Sequence, residues 1–298
     1  MPPPAVPPPS ASLTALVADW YRNNARDLPW RRAECTPWGV LVSEVMLQQT
    51  PVARVVPVWQ RWLQRWPRPS DLAAAPRAEV LREWGKLGYP RRALRLHEAA
   101  RVISQEHGDA VPGEIDVLEA LPGVGSYTAR AVTAFGHGRR CPVVDTNVRR
   151  VVARAVHGAG EAGPARVRAD LADVEALLPA DEPAAARLSA ALMELGAVVC
   201  TARAPRCPAC PARTACAWHA AGRPAWTGPR RPVQGFAGTD RQVRGLLLDV
   251  LRSAETPVER ALLDAVWPDA GQRDRCLDSL LVDGLAEQAS DGRFTLPA

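Results

Sequence analysis

Apolar residues recur at intervals of three and four positions from Ser12 to about Trp218. Such spacing lines one face of a helix with apolar side chains. Turn signals such as Gly108-Asp109 interrupt the pattern, and the strict alternation that is typical of strands is almost absent. We therefore predict that this part of the chain is mostly α-helical and contains many helices.

Composition divides the chain into four segments. Residues 1–12 are rich in proline and are predicted to be a disordered tail, whereas residues 13–218 form the helical core. Residues 219–238 carry glycine, proline and arginine with little periodicity, which is typical of a linker. Residues 239–298 return to a helical pattern and are predicted to be a separate C-terminal module.

The C-terminal module is predicted to contain three helices, over Asp240–Arg252, Thr256–Trp267 and Gln272–Asp283. Thr256 is expected to cap the second helix at its N-terminus. Two short apolar runs then flank the turn signal Asp291-Gly292, which predicts a β-hairpin. This order of elements resembles a winged-helix module, and a small domain that packs on the core as a structural lid is the alternative.

Composition narrows the function without defining it. With 298 residues the chain is long enough for two units, and its net charge of +5 is only modestly basic. It has no run of about 18 apolar residues and no secretory signal, so we expect a cytoplasmic protein with no membrane partner. Lys86 is the only lysine among 37 basic residues, which leaves one side-chain amine for Schiff-base chemistry.

Four cysteines fall close together with the spacing C-x6-C-x2-C-x5-C; they are Cys200, Cys207, Cys210 and Cys216. Such a set binds either a [4Fe–4S] cluster or tetrahedral zinc. Most structural zinc sites use two C-x2-C pairs, and this run has only one, so the spacing favours the cluster over zinc or disulfides. Three isolated cysteines are predicted to be small buried apolar residues, namely Cys35, Cys141 and Cys276.

The segment LPGVG at residues 121–125 lies between two apolar helical segments. Gly123 and Gly125 allow the tight turn of a helix-hairpin-helix, which leaves backbone N–H groups available to bind a phosphate. Such a contact grips the DNA backbone without reading its sequence. An ordinary turn between two helices is the alternative.

Asp145 follows Val143-Val144 and precedes Thr146 and Asn147, two residues that commonly begin helices. A carboxylate at a helix N-terminus is stabilised in its ionised form. We therefore expect Asp145 to stay charged, and an N-cap without any catalytic role is the simpler alternative.

The order of these motifs resembles the endonuclease III superfamily of DNA glycosylases over residues 13–218. Residues 43–52, SEVMLQQTPV, closely resemble the MutY-type adenine glycosylases, and DLPWR at 27–31 and KLGYP at 86–90 match two further segments of that family. The resemblance implies a two-lobed helical helix-hairpin-helix glycosylase core with a [4Fe–4S] loop, followed here by the winged-helix-like module.

The resemblance and the chemistry of base removal together suggest roles for three residues. Glu44 lies in an apolar segment, where burial would raise its pKa and let it protonate adenine N7. Asp145 would stabilise the oxocarbenium ion that forms on the sugar. Tyr127 stands where lyase members carry a lysine, and a phenol cannot form a Schiff base. The enzyme is therefore expected to be monofunctional and to leave an abasic site.

Further residues match the family by position. Trp30 and Arg31 resemble residues of the adenine pocket, and Gln48 belongs to the same substrate-binding motif as Glu44. Gln49 and Tyr89 resemble side chains that enter the base stack where the adenine has left.

Two arginines of the cysteine loop are also expected to contact DNA. Arg203 and Arg206 lie between the first two cysteines, where the cluster would hold them as a cationic surface for the phosphate backbone.

The sequence thus predicts a base-excision-repair DNA glycosylase that flips out and hydrolyses adenine mispaired with 8-oxoguanine or guanine in double-stranded DNA. We expect a monomer that works in the cytoplasm, at the nucleoid. A thymine or uracil mismatch glycosylase and a non-catalytic iron–sulfur DNA-binding regulator are the alternatives.

Two features depart from the family pattern. Ala190 falls where the family usually places Gln or Glu against the adenine edge. Many adenine glycosylases also carry a Nudix-like β-rich domain that checks for 8-oxoguanine, and the mostly helical residues 239–298 cannot form it. The preference for the opposite base is therefore left open.

Overall fold

The computed structural model describes residues 9–228 and 235–298. Within these ranges the chain forms fifteen α-helices and one two-stranded antiparallel sheet, which confirms the mostly α-helical prediction. The helices are α1 (Pro9–Asn24), α2 (Pro37–Leu47), α3 (Val52–Arg65), α4 (Pro69–Ala73), α5 (Arg77–Trp84), α6 (Arg91–Glu106), α7 (Ile115–Glu119), α8 (Ser126–Ala131), α9 (Thr146–Ala155), α10 (Val167–Glu175), α11 (Glu182–Val198), α12 (Ala217–Ala220), α13 (Asp240–Ser253), α14 (Arg260–Asp264) and α15 (Ala270–Val282). The strands are β1 (Glu287–Gln288) and β2 (Phe294–Thr295).

The chain folds into two compact units. Unit 1 comprises Met1–Leu41, Gly113–Glu119 and Val124–Arg230. Unit 2 comprises Val42–Pro112, Ala120–Gly123 and Arg231–Ala298, so the C-terminal module belongs to the same unit as α3–α6.

The core of unit 1 forms where α9 packs against α11. Val148 and Val152 lie on the same face of α9 and are buried against Leu192 of α11, as the helical spacing of the sequence predicts. The two helices approach closely at Gly196, where an added Cβ would lie 2.7 Å from the Cβ of Asn147. A glycine is therefore needed at this point of α11.

Tryptophans dominate part of the core of unit 2. The ring of Trp62 on α3 packs edge-on against two others, with ring centroids 4.9 Å from Trp66 and 5.5 Å from Trp84. Trp62 and Trp84 are fully buried. Edge-to-face packing of this kind suits the positive edge and negative face of aromatic rings.

The C-terminal module is joined to the rest of unit 2 by polar contacts as well as by the chain. Arg252 at the end of α13 donates through Nε to the carbonyl of Leu81 on α5, at 3.0 Å. Lys86 forms an ion pair with Asp249 at 3.3 Å. These contacts set the module against the end of α5 and the turn that follows it.

Two of the three helices predicted in the module are confirmed, and the second is wrong. α14 spans only Arg260–Asp264, and Thr256 does not cap it. Val258 instead forms an antiparallel bridge with Phe294 of β2, with N–H···O distances of 2.8 and 2.9 Å. This pairing draws the backbone around Val258 out of a helix and adds it to the hairpin.

The predicted tail and linker lie partly outside the described residues, which begin at residue 9 and omit 229–234. α1 begins at Pro9, so residues 9–12 are helical and not part of a disordered tail. Among the described residues, every helix is too short or too polar to cross a bilayer.

We predict that Gly196→Ala lowers the free energy of unfolding by about 1 to 3 kcal/mol, because the new methyl group overpacks the contact with Asn147. Gly245→Ala is the matched control, since a Cβ there meets no atom within 4 Å in the interior of α13. That change is expected to leave stability unchanged or raise it slightly. Thermal unfolding of both variants is the measurement, and equal midpoints would contradict the prediction.

Candidate active site and metal centre

Asp145 is the N-cap of α9, as the sequence predicts. Its Oδ1 accepts a hydrogen bond from the backbone N–H of Val148 at 2.7 Å, and its Oδ2 accepts one from Asn147 Nδ2 at 2.7 Å. Burial nevertheless raises the pKa of Asp145 above its ordinary value, because it outweighs these hydrogen bonds and the attraction of Arg150, which lower it. The helix N-terminus and the hydrogen bonds therefore favour the charged form, as the sequence predicts, but burial opposes them more strongly than the sequence indicates.

A chain of hydrogen bonds runs from Asp145 to the cysteine loop within unit 1. Arg150 donates through Nη2 to Asn147 Oδ1 at 2.8 Å, and Asn147 donates in turn to Asp145. The same guanidinium reaches the carbonyls of Cys200 and Gly196, each at 2.7 Å. Asp145, Asn147 and Arg150 lie close together in the sequence, but only the fold brings Cys200 to the first turns of α9.

The four predicted metal-binding cysteines line one cavity; they are Cys200, Cys207, Cys210 and Cys216. Burial is the main reason that the pKa of the Cys210 thiol is raised to about 11; the neighbouring cysteines add to the rise, and a backbone hydrogen bond from Ala212 opposes it. In residues 9–228 and 235–298, no three His, Cys, Asp or Glu side chains form a group around a single metal ion. Four thiols that line one cavity suit a [4Fe–4S] cluster, which four cysteine thiolates would hold.

Arg154 on α9 lines the same cavity and is 3% exposed. It donates through Nη1 to Cys200 Sγ at 3.4 Å and to the carbonyl of Thr201 at 2.8 Å, and its guanidinium lies 4.8 Å from the ring centroid of Trp218. Arg154 thus places a buried positive charge at the wall of the cysteine cavity. Sequence reasoning missed Arg154, because it lies 46 residues before Cys200.

The two arginines predicted to contact DNA on the cysteine loop are both exposed. The guanidinium of Arg206 donates to the carbonyl of Val198, at the end of α11. Arg203 projects from the bend before it.

Tyr127 lies in the first turn of α8 and is partly buried. It packs against a cluster that contains Val143, two residues before Asp145, and Cys141. Tyr127 and the strand-like segment that leads to Asp145 therefore share one apolar cluster of unit 1.

The two glycines of the hairpin serve different purposes. Gly123 has a φ of +77°, and a Cβ there would lie 2.6 Å from the Cβ of Arg95, so no other residue fits. Gly125 has an extended backbone and precedes α8, with open space around its Cα. The first glycine makes the turn, and the second leaves room for another molecule near the backbone N–H groups.

Arg31, predicted to lie in a pocket, forms a buried ion pair that the sequence did not reveal. Its Nη2 lies 2.9 Å from Glu194 Oε2, and Arg26 donates to the same carboxylate at 2.6 and 2.8 Å. Glu194 is fully buried on α11. Nη1 of Arg31 is buried and has no hydrogen-bond partner among the described residues. Trp30 is buried at 8% exposure.

Glu44 lies on α2 in the part that belongs to unit 2, and it is 6% exposed. Its neighbours Val42, Val45 and Met46 are buried as well. The burial that the sequence predicts for Glu44 is therefore confirmed.

The loop after α2 and the loop before α6 are joined by one arginine. Arg92 donates to the carbonyl of Val45 at 2.7 Å, to the hydroxyl of Thr50 at 3.0 Å and to the carbonyl of Gly88 at 2.9 Å. Thr50 also donates to the carbonyl of Leu87 at 3.1 Å. Arg92 thus caps the helix that carries Glu44, and sequence reasoning missed it.

These joined loops hold the residues expected to contact the substrate and the base stack. Gln48 is partly buried directly after α2. Gln49 is exposed with a φ of +57°, and Tyr89 is 40% exposed with a φ of +48°. Positive φ is uncommon for residues other than glycine, and such strain often accompanies functional sites.

Residues 42–175 match the family model of the HhH-GPD superfamily base excision DNA repair proteins. An adenine DNA glycosylase of Mycolicibacterium smegmatis is 64% identical over 281 residues, which cover 94% of each chain. An adenine DNA glycosylase of Mycobacterium tuberculosis is 61% identical over 287 residues, which cover 96% of this chain and 93% of the relative. The solved structure of a thermostable thymine-DNA glycosylase matches with a TM-score of 0.64 at 26% identity, over 72% of this chain and 97% of its own.

We predict that Glu194→Gln removes a stabilising contribution that depends on pH. Burial raises the pKa of Glu194, but the hydrogen bonds from Arg26 and Arg31 outweigh it and lower the pKa from 4.5 to about 2. This contribution is therefore complete above pH 4.5 and is lost as the pH falls towards 2. At neutral pH, the loss of one partner from a buried ion pair is expected to cost about 3 kcal/mol.

Thermal unfolding between pH 2 and pH 7 tests this prediction. Glu98→Gln is the control, because Glu98 forms an exposed pair with Arg95 and should change stability by less than about 1 kcal/mol. Equal losses in the two variants at pH 7 would contradict the assignment.

Proposed function

Because the chain belongs to the adenine DNA glycosylases, a family of the HhH-GPD superfamily of base excision DNA repair proteins, we propose that it hydrolyses the N-glycosidic bond of adenine mispaired with 8-oxoguanine or guanine in double-stranded DNA. The observation that carries the proposal is Asp145, a partly buried carboxylate that two hydrogen bonds hold at the N-terminus of α9. The buried Glu44 of α2 adds a second acidic group. A duplex substrate also implies that the protein works in the cytoplasm, at the nucleoid.

Glu44 is the proposed general acid. Glu44 is 6% exposed. Burial disfavours the charged form of a carboxyl group, and the neutral form can donate a proton to adenine N7. Protonation makes the base a better leaving group as the bond to the sugar breaks.

Asp145 is the proposed stabiliser of the positive charge that develops on the sugar. The hydrogen bonds from Val148 and Asn147 fix the orientation of its carboxylate before substrate binds. Its raised pKa means that the charged, active form is lost at a higher pH than for an ordinary aspartate.

Tyr127 supports a monofunctional reaction. The side chain packs beside the segment that leads to Asp145, and it carries no amine that could attack the sugar. Water is then the nucleophile, and the product is an abasic site in an intact strand.

Trp30, Arg31 and Gln48 are each proposed to contact the adenine. The buried Nη1 of Arg31 offers a hydrogen-bond donor that no described residue uses. Ala190 contributes no polar group, so this donor gains importance for the recognition of the base.

Three further groups are proposed to hold the DNA. Gln49 and Tyr89 enter the base stack from their joined loops. Gly123 and Gly125 present backbone N–H groups to a phosphate, and the exposed Arg203 adds positive charge. Arg206, on the same loop as Arg203, is proposed to contact the phosphate backbone as well.

We assign a [4Fe–4S] cluster to Cys200, Cys207, Cys210 and Cys216. The cavity that all four line, with the buried Arg154 at its wall, supports the assignment. When bound, the cluster cross-links the loop through iron–thiolate bonds. The four cysteines would then hold the exposed loop that carries Arg203 and Arg206.

The match to the thymine-DNA glycosylase structure favours a thymine mismatch glycosylase as the second candidate. Tyr127 and Asp145 are compatible with either function, so these residues do not separate the two candidates. The base released therefore distinguishes them.

The wild-type protein is expected to release adenine opposite 8-oxoguanine and opposite guanine, and to leave thymine opposite guanine intact. Each duplex is incubated with excess protein, and the products are separated with and without alkali. Because Tyr127 offers no amine, strand scission is expected only after alkali. Scission only at thymine would favour the second candidate, and no scission in any duplex would favour a DNA-binding regulator.

Glu44→Gln and Asp145→Asn are each expected to slow base release by about a hundredfold or more. Asp181→Asn is the matched control, because Asp181 caps α11 as Asp145 caps α9. Asparagine caps a helix about as well as aspartate does, so this change should leave both the stability and the rate of base release nearly unchanged. An equal loss of rate in all three variants would contradict the roles proposed.

The rate of base release is expected to fall at acidic pH as Asp145 becomes protonated. Asn147→Ala removes one of the hydrogen bonds that lower the pKa of Asp145, so the midpoint of this fall should move to higher pH. Thr146→Ala, a change at the exposed neighbouring residue, should leave the midpoint in place. Single-turnover rates across the acidic range are the measurement, and a midpoint that moves to lower pH in Asn147→Ala would contradict the argument.

A further inference from the structure

The C-terminal module meets the rest of unit 2 around the loop that carries Tyr89. Arg82 at the end of α5 donates to the carbonyl of Ala254 at 3.0 Å, and Arg91 at the start of α6 forms an ion pair with Asp283 at 3.3 Å. These contacts lie before and after Tyr89 in the sequence. The module therefore lies against the loop whose residue Tyr89 is proposed to enter the base stack.

Arginines and aromatic rings alternate from the core of unit 2 to the surface of the module. The guanidinium of Arg92 lies 5.1 Å from the ring centroid of Trp84 and 5.6 Å from that of Tyr89. Arg241 of α13 donates to the hydroxyl of Tyr89 at 3.1 Å and lies 5.2 Å from the ring centroid of Phe236. The series runs from a fully buried ring to one that is 55% exposed.

The exposed end of this series has the chemistry of a surface that binds nucleic acid. An exposed phenylalanine ring is costly in water, and a nearby guanidinium supplies positive charge. Proteins that bind opened nucleic acid strands combine aromatic rings, on which bases stack, with cations that hold the phosphates. Arg241 also donates a hydrogen bond to the hydroxyl of Tyr89, so the module helps to orient a residue of the proposed site.

We propose that Phe236 at the end of the linker and Arg241 of the C-terminal module, together with Tyr89, form one DNA-binding surface that holds the strand next to the extruded base. Phe236 stacks against a base, Arg241 contacts the phosphate backbone, and Arg241 is also a positioning residue for Tyr89. The inference rests on the proposed function, and it gives the module a role in substrate binding.

Equilibrium binding of the full chain to labelled DNA tests the proposal by fluorescence anisotropy. The probe is a duplex with a non-hydrolysable 2′-fluoro adenosine analogue opposite 8-oxoguanine. Phe236→Ala and Arg241→Ala are each expected to raise Kd about tenfold, as the loss of one stacked base or one phosphate contact does. Leu262→Ala and Arg293→Ala are the matched controls, because Leu262 is also 55% exposed in the module and Arg293 pairs with Asp291 in the hairpin turn. Both controls should bind as the wild type does.

Two further readouts separate DNA contact from a structural role. Arg241→Ala should reduce the slope of log binding constant against log salt concentration by about 0.9, the value for one phosphate. Tyr89→Phe removes the hydroxyl that Arg241 holds, so the effects of these two changes should be less than additive. Thermal midpoints equal to the wild type show that each variant is folded.

Wild-type affinity and salt slope in both Phe236→Ala and Arg241→Ala would overturn the proposal. If the wild type releases adenine while these variants bind normally, the inference alone fails. If the wild type releases no base while these variants lose binding, the proposed function fails and the DNA-binding surface stands.

Discussion

The contact between the first turns of α9 and the end of α11 determines where the carboxylate of Asp145 lies. Arg150 holds the carbonyl of Gly196 at the end of α11 and passes a hydrogen bond to Asn147, which holds Asp145. The close approach of the helices depends on the absence of a side chain at Gly196. The orientation of the proposed catalytic group therefore follows from the packing of two helices, and the same guanidinium extends that dependence to Cys200 of the cysteine loop.

Nearly all the basic residues are arginines, and several of them bind backbone carbonyls of separate segments. Arg92 holds carbonyls from the end of α2 and from the loop before α6. Arg150 joins α9 to α11, and Arg154 donates to the backbone of the cysteine loop. A planar guanidinium has five N–H donors in a fixed arrangement, whereas an ammonium is a compact point charge on a flexible stem. One arginine can therefore satisfy carbonyls of separate segments at once. In this chain such arginines fix the irregular segments around both parts of the proposed site.

Local signals in the sequence were sufficient for the helices and for the cap formed by Asp145, because a cap depends on residues three positions apart. The ion pair between Arg31 and Glu194 joins positions 163 residues apart, and no local pattern marks it. The same limit explains the wrong helix in the C-terminal module, where Val258 pairs with β2. Burial of Glu44 was predictable from its apolar neighbours, whereas the direction of the Asp145 pKa shift depended on how deeply the fold covers it.

The ion pair between Lys86 and Asp249 has a practical consequence. Lys86 carries the only side-chain amine of the chain, and its side chain is 83% exposed at the joint between the C-terminal module and the turn after α5. An amine-reactive dye therefore has one side-chain target, three residues before Tyr89. The chain thus offers one side-chain position for an optical label where the C-terminal module meets the rest of unit 2, without the introduction of a new residue.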